Sequence, residues 1–402
     1  MKPIFDVQST VSSDADPTLV WEDIVLKAAR TRISDIHLMA QKEGLELAFR
    51  LDGDMLPQGM LPHDFGRRLI SHVKTVADID LGENRRPTEG RMKLTVEDRA
   101  IDLRVSVVPT IHGQDMVVRV FDRTISLLEM NELGLLPEQQ DYLSDMIQRP
   151  HGLVLVSGPT GSGKTTSMYA ILRRLAGHGR KIITIENPVE YDLPGVNQTQ
   201  VHPRIGVTFA SMLTAILRQD PDIIMVGEVR DEETAITAVR AANTGHLVFA
   251  TTHATRASRA VETMLSLGVH PYFLAVALRG VLAQVLVKRV CPKCKTPLPE
   301  TADMIVDEDV RRRLPEGTET RLYQGAGCEQ CYGSGYSGRM GLFELFMPDD
   351  NIKQLILDRR PAIEIERATV KANMVSLEQS GKIAAITGQT TMEQLVDVLP
   401  ML

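Results

Sequence analysis

The sequence predicts an α/β chain in which a parallel sheet with crossover helices follows a small α+β domain and carries a four-cysteine module. Three observations predict it. From residue 137 to about 290, short apolar runs at 153–157, 181–186, 223–227 and 247–252 alternate with helix-compatible stretches, the pattern of strands joined by crossover helices. Upstream, residues 19–122 read as helix, two strands, helix and a three-stranded meander. Downstream, two C-x-x-C pairs share one segment.

Taken in order, residues 1–18 are polar, acidic and aperiodic, which predicts a mobile tail. WEDIVLKAARTR places apolar residues at helical spacing, and ISDIHLMAQKEGLELAFRLDGDML reads as two strands turning at Lys42-Glu43-Gly44. DFGRRLISHVKTVADIDL is a second amphipathic helix. The meander RMKLTVEDRAIDLRVSVVPTIHGQDMVVRVFD turns at Glu97-Asp98 and at His112-Gly113-Gln114. Residues 123–136 form a linker, and 137–402 a second domain that includes the cysteine module (288–345) and a helical carboxyl-terminal segment (346–402). Within the module, RRRLPEGTETR is expected to be a solvated loop.

The most apolar stretch, Met264 to Leu278, contains His270 and Pro271 and ends at Arg279, so it predicts a buried helix rather than a membrane span. The opening MKPIFDVQSTVSSDADP has one lysine and no apolar core, unlike a secretory signal. A net charge of -7 and a pI near 5.9 argue against general electrostatic affinity for nucleic acid or anionic membrane. Aromatics at 4% leave few stacking platforms for single strands. A cytoplasmic protein with no specific nucleic-acid partner is the expectation.

The most informative stretch is GPTGSGKT, Gly158 to Thr165, which fits G-x-x-x-x-G-K-[ST]. It follows the apolar run Leu153-Val154-Leu155-Val156 and opens a helix-compatible segment, the strand–loop–helix context the motif needs. The loop of Gly158, Pro159, Thr160, Gly161, Ser162 and Gly163 closes its backbone N–H groups around phosphate oxygens, aided by the dipole of the following helix. Lys164 is expected on the β- and γ-phosphates and the Thr165 hydroxyl on Mg²⁺, with Thr166 completing the loop. The chain is therefore expected to bind a nucleoside triphosphate.

Carboxylates follow the later strands. Glu228 stands just after IIMVG, where phosphate-loop NTPases hold Mg²⁺ or the attacking water, and is the first candidate for activating that water. Glu186 and Glu190 follow KIITI and are further candidates, set against simple capping of the next element. His253 ends TGHLVFATTH, a position from which an imidazole can bond a phosphate oxygen, although a lone histidine is more often structural.

Cys291 and Cys294 form one C-x-x-C and Cys328 and Cys331 another, with 33 residues between the pairs. Each pair can supply two thiolates to one tetrahedral ion, and together they predict a structural Zn²⁺ site with no open position for water. Two disulfides are disfavoured in a reducing cytosol, and a metal-free descendant of such a site is the remaining alternative.

The order GPTGSGKT, TIENPVE, LRQDPDIIMVGEVRD, GHLVFATTHAT resembles the Walker A, Asp box, Walker B and His box of the secretion-ATPase superfamily. SDIHL, FRLDG, GRMK and DLRVSVVPTIHGQDMVVRV are similar to that family's amino-terminal domain, and the cysteine pairs with GYSGRMGLFEL to the zinc module of its assembly and export branch. The resemblance, which spans almost the whole chain, implies a RecA-like ATPase core that turns ATP into ADP and phosphate with Mg²⁺. It further implies Glu228 as catalytic carboxylate, Glu186 supporting metal or water, His253 touching nucleotide, and Arg104 and Arg119 swinging from the small domain to the γ-phosphate. Arg50 in FRLDG is a weaker member of that set.

By the same resemblance the protein works as a homo-hexamer, docked through an inner-membrane platform protein in a type II secretion, type IV pilus or related transfer system. Three departures from the family pattern stand out. Asn187 replaces the usual Asp of Glu-Asp-Pro, the His box reads Thr252-His253-Ala254-Thr255, and Gln284-Val285-Leu286 replaces Gln-Arg-Leu. Two other classes fit a phosphate loop: a nucleic-acid motor, which acidity and the cysteine module oppose, and a nucleotide switch with little turnover, which Glu228 opposes.

Overall fold

The computed structural model describes residues 3–7, 11, 12, 14–96, 99–122 and 128–399. The expected turn at Glu97-Asp98 and the first part of the linker lie outside them. The chain divides into two units: residues 1–126 with 291–294 and 325–338, and residues 127–290 with 295–324 and 339–402.

In the first unit, helix α1 (Pro17–Arg30) starts at Asp16, whose carboxylate accepts the Thr18 N–H at 2.8 Å, and Pro17 supplies a preset φ at its first turn. Strands β1 (Ile33–Gln41), β2 (Gly44–Leu51) and β3 (Asp54–Leu61) precede α2 (His63–Val76). β4 (Thr88–Val96), β5 (Arg99–Thr110) and β6 (Gly113–Asp122) complete an antiparallel six-stranded sheet ordered β3-β2-β1-β6-β5-β4. Alternation sends Ile36, Leu38, Val105, Val107, Met116 and Val118 into a core with Trp21, Ile24 and Phe65 of the helices. The opposite face is left for charged residues. β3 was not expected, because DGDML is polar enough to read as the end of β2.

Two expectations change here. Residues Phe5 and Val7 are buried in this core, and the Gln58 side chain accepts the Ile4 and Phe5 N–H groups at 2.7 and 2.8 Å. Two apolar residues in a polar context suffice to pin that part of the supposed tail. The cysteine knuckles, expected with the carboxyl-terminal domain, group with the small one: Arg32 donates to Ser337 Oγ at 2.9 Å, and Gly338 N–H to Asp52 at 2.8 Å.

In the second unit, α3 (Pro137–Gln148) leads to β7 (Gly152–Ser157), α4 (Lys164–Leu175), β8 (Ile182–Glu186), β9 (Asn197–Gln200), α5 (Phe209–Ile216), β10 (Ile223–Val226), α6 (Glu232–Asn243) and β11 (Leu247–Thr252). Helices α7 (Ala257–Ser266) and α8 (Pro271–Ala277) follow, then the long β12 (Leu278–Val290). β13 (Lys295–Thr301), α9 (Glu308–Arg313), β14 (Arg321–Gly325) and β15 (Tyr336–Phe346) come next, and α10 (Asp350–Leu357), α11 (Ala362–Lys371), α12 (Leu377–Ile386) and α13 (Met392–Val398) close the chain. The seven-stranded sheet is ordered β15-β12-β7-β11-β10-β8-β9.

β7, β8, β10 and β11 are buried along their whole length, as parallel strands covered on both faces must be. Alternate residues feed separate cores: Leu153, Leu155, Ile224 and Val248 one, Val154, Val156, Met225 and Phe249 the other. The chain runs from β7 outward to β8 and returns through β10 and β11, then crosses to β12 on the far side. β7 therefore sits at the switch point of the strand order, outside whose carboxyl end ligands bind in such sheets.

Met264 to Leu278 is not one buried helix but the end of α7, all of α8 and the first residue of β12, because Gly268 (φ 83°) ends the first helix and Pro271 opens the second. RRRLPEGTETR is not all solvated loop either. Its start belongs to α9, and Arg313, 7% exposed, donates to Glu138 at 2.6 Å.

Candidate active site: a phosphate loop and its carboxylates

β7 delivers the chain into the loop, and α4 begins at Lys164. Gly163 precedes that helix at φ 87°, a left-handed conformation that side chains with a Cβ rarely take. A Cβ on Gly158 would collide with the Gln284 carbonyl and with Ser162 Oγ, so close approach demands glycine there too. Lys164 donates from Nζ to the carbonyls of Gly158 at 2.6 Å and Pro159 at 3.0 Å. Burial pulls its pKa down while Glu228 pulls it up, and burial wins. Thr165 is exposed at the helix start, as a metal-binding hydroxyl needs to be.

Glu228 is held two residues beyond β10, where Gly227 N–H donates to Ile185 O at 2.8 Å and Val229 N–H to Thr251 O at 3.0 Å. Its carboxylate, 16% exposed, takes close hydrogen bonds from Arg230 and from His253 at the end of β11. Burial raises its pKa, but those two partners outweigh burial and keep it below the ordinary carboxylate value. The His253 loop is itself tied to the phosphate-loop strand. Ser157 Oγ donates to Ala254 O at 2.6 Å and accepts from Thr252 Oγ1 at 2.9 Å. Lys164, Glu228, Arg230 and His253 thus form one cluster at the carboxyl ends of β7, β10 and β11.

Glu186 is not part of that cluster. Only 3% exposed, it accepts from Thr184 Oγ1 at 2.6 Å, from Gln198 Nε2 at 3.1 Å and closely from Tyr169. Burial, then the Glu186 charge, push the Tyr169 hydroxyl well above its ordinary pKa, so it serves as a donor. Glu186 thereby braces α4 against β8. Glu190 lies beside it, its N–H donating to Tyr169 at 3.3 Å.

In the first unit, register places Arg50, Asp35, Arg119, Arg104 and Arg91 in one row across β2, β1, β6, β5 and β4. Arg119 Nε donates to Asp35 at 3.0 Å, and the Arg104 guanidinium lies 4.3 Å from the Phe121 ring centre. Cross-strand partners share a face, so the row is a strip of four guanidiniums with one buried carboxylate. Arg50 also donates to Gly53 O at 2.8 Å, which turns it along the β2–β3 hairpin.

The four thiols of Cys291, Cys294, Cys328 and Cys331 lie within 4.8 Å of one another. Three of the sulfur pairs, Cys291–Cys328, Cys294–Cys331 and Cys328–Cys331, stand 3.8, 3.8 and 3.7 Å apart. A tetrahedron with Zn–S bonds of about 2.3 Å separates its sulfurs by about 3.8 Å, so the set fits zinc. Backbone N–H groups of Cys328 and Gly335 point at Cys331 Sγ at 3.1 and 3.3 Å. Burial works against ionisation of that thiol, yet those donors bring it down to about 6, the thiolate form a metal requires.

Residues 12–397 match the type II/IV secretion system protein family. The chain belongs to that family. The type II secretion system protein HxcR of Pseudomonas aeruginosa is 42% identical over 375 residues, covering 93% of this chain and 76% of its own. The type IV pilus assembly ATPase PilB of Thermus thermophilus is 40% identical over 93% of this chain but only 42% of its own. Among solved structures, the pilus retraction motor PilT with bound ADP superposes with a TM-score of 0.62, at 26% identity, over 94% of this chain and 96% of its own. The RecA-like fold of the secretion family is thereby established.

Against the family pattern, Asn187 leaves Glu186 and Glu190 as the acids of the box, and Glu186 is fully engaged. Sequence reasoning passed over Arg230, Asp35 and Arg91. Arg230 was legible, two residues from Glu228 at a strand tip. Asp35 and Arg91 were not, because only strand register aligns them with Arg104 and Arg119.

Proposed function

We propose that this chain is the motor ATPase of a type II secretion or type IV pilus-type machine, driving assembly or export of pilin-like subunits. As a member of the secretion family it is an ATPase. The observation that carries the finer reading is the cluster of Lys164, Glu228, Arg230 and His253 at the switch point of the sheet, in a chain that matches HxcR over 93% of its length.

ATP phosphates would replace the Gly158 and Pro159 carbonyls as partners of Lys164. Glu228, once Arg230 and His253 turn toward phosphate oxygens, is free to accept a proton from the attacking water. The exposed Thr165 hydroxyl and Glu228 are the groups that would hold Mg²⁺, which supplies charge neutralisation when bound. Arg104 and Arg119 supply the cations that phosphoryl transfer calls for. The cysteine set holds structural Zn²⁺ and takes no part in the chemistry.

The working form is a homo-hexamer, and the load a platform protein at the inner membrane. Among the described residues no helix is long and apolar enough to cross a membrane, so contact with the bilayer would come through that partner. Steady-state ATP hydrolysis across a protein concentration series, with mass determination and Glu228→Gln as control, tests the reading. Turnover per subunit should rise as hexamers appear and vanish in the variant. Tight ATP binding without Glu228-dependent turnover in hexamers would overturn it in favour of a nucleotide switch.

A further inference from the structure

Gln284 lies on β12 one residue past Ala283, which pairs with Ser157, the last residue of the strand feeding the phosphate loop. Its side chain is 1% exposed, and Nε2 donates to the Ser162 carbonyl at 2.6 Å. Its backbone carbonyl abuts Gly158, and its Nε2 would stand 3.2 Å from a Cβ on Gly163. The loop is therefore seated on this one residue at its beginning, at its end and through a hydrogen bond between.

The carbonyl of Ser162 and the N–H of Gly163 belong to one planar trans peptide and point in opposite directions. Drawing the carbonyl toward β12 turns the N–H away from β12, into the concavity where phosphate-loop amides meet phosphate oxygens. The amide of Gln284 is used only in this way. Its Oε1 is buried and, among the described residues, has no hydrogen-bond partner, nor has Ser162 Oγ beside it. An unmet buried acceptor is destabilising, and a methionine of the same reach would fill the space without that cost. The donor, then, has a task that packing does not explain.

We infer that Gln284 is a positioning residue for nucleotide binding, which presets the Ser162–Gly163 peptide so that the Gly163 N–H meets the phosphate chain. This contact is made equally in ground and transition states, so its loss weakens binding and leaves the chemical step alone.

The test uses the full chain with zinc supplied, comparing Gln284→Met and Gln284→Glu with wild type. Calorimetric titration with ADP and with inorganic pyrophosphate is expected to show about tenfold weaker affinity for both, the worth of one aligned hydrogen bond. KM for ATP should rise by a similar factor, with kcat within about twofold. A merely structural role would lower kcat, through loss of folded enzyme, at unchanged KM. That result overturns the inference, as does unchanged affinity in Gln284→Met. Melting without nucleotide guards the reading, since early unfolding of both near-isosteric variants would make the seat structural and likewise refute a positioning role.

Discussion

Arg104 on β5 and Arg119 on β6 are direct cross-strand partners, an arrangement of like charges that destabilises a sheet by some tenths of a kcal/mol. The sheet offsets it locally: Asp35 binds Arg119, and Phe121 lies beneath Arg104. Two guanidiniums side by side are costly to the sheet, and under the proposed function that cost is offset by a role toward the triphosphate. Arg104→Ala or Arg119→Ala is therefore expected to leave the melting temperature unchanged or slightly higher while lowering kcat about 1,000-fold, the low end of the range for arginine fingers. Paired thermal melts and ATPase assays check it. A fall in both together would mark the pair as structural.

Glu228 and Glu186 should respond differently to the same substitution. Glu228→Gln removes the only carboxylate in the described cluster and is expected to reduce turnover about 1,000-fold with ATP binding retained. Glu186→Gln keeps the shape of a buried bracing group and should cost turnover at least tenfold less, with its main effect on unfolding. Tyr169→Phe, which deprives Glu186 of a donor, should cost about 1–3 kcal/mol in urea unfolding. Equal loss of turnover in both glutamate variants would return Glu186 to the catalytic set.

A second buried carboxylate gives a pH signature. Glu344 is 2% exposed, bonded to Ala257 N–H at 2.5 Å and to Arg256 at 3.2 Å, and Arg256 also binds Glu378 closely. Burial raises the Glu344 pKa against the pull of Arg256, whereas Glu378, despite burial, is held low by the same guanidinium. In Arg256→Met, Glu344 must fold protonated, an advantage lost as pH rises above its unfolded value. Glu378 loses a stabilisation that existed only above its own unfolded value. Both act in one direction. The variant's deficit should be small at pH 3.5, below both unfolded values, and reach about 3 kcal/mol at pH 8. Urea unfolding at the two pH values measures it, and a pH-independent deficit would contradict the account.

Metal analysis of the purified chain should find one Zn²⁺ per chain, and Cys331→Ser should abolish it. Since Ser337 and Gly338 beside the knuckle hold Arg32 and Asp52, chelation should also expose the loop around residues 325–338 to protease. Loss of zinc with no change in cleavage would separate the metal from the contact.

How much of this could be read in advance follows from the range of the interactions. The phosphate loop, Glu228, His253 and the cysteine pairs are local strings whose spacing carries their geometry, and the four buried strands are marked by continuous apolar runs. β12 escaped notice because RGVLAQVLVKRV mixes charge with apolar residues without a turn signal, and its role comes from lying beside β7. The seclusion of Glu186 depends on Tyr169, Thr184 and Gln198, which converge only once α4, β8 and β9 pack. Likewise the arginine strip exists only in register.

Lys164 never lacks acceptors. Its ammonium rests on two carbonyls of its own loop, so arrival of a phosphate exchanges partners instead of rescuing a stranded charge. Departure of the product is the same exchange run backward, with the carbonyls ready to take the ammonium again. A lysine poised in this way narrows the free-energy gap between the filled and emptied loop. For an enzyme that must let go of ADP after every stroke, a slightly weaker grip at rest shortens the interval between strokes.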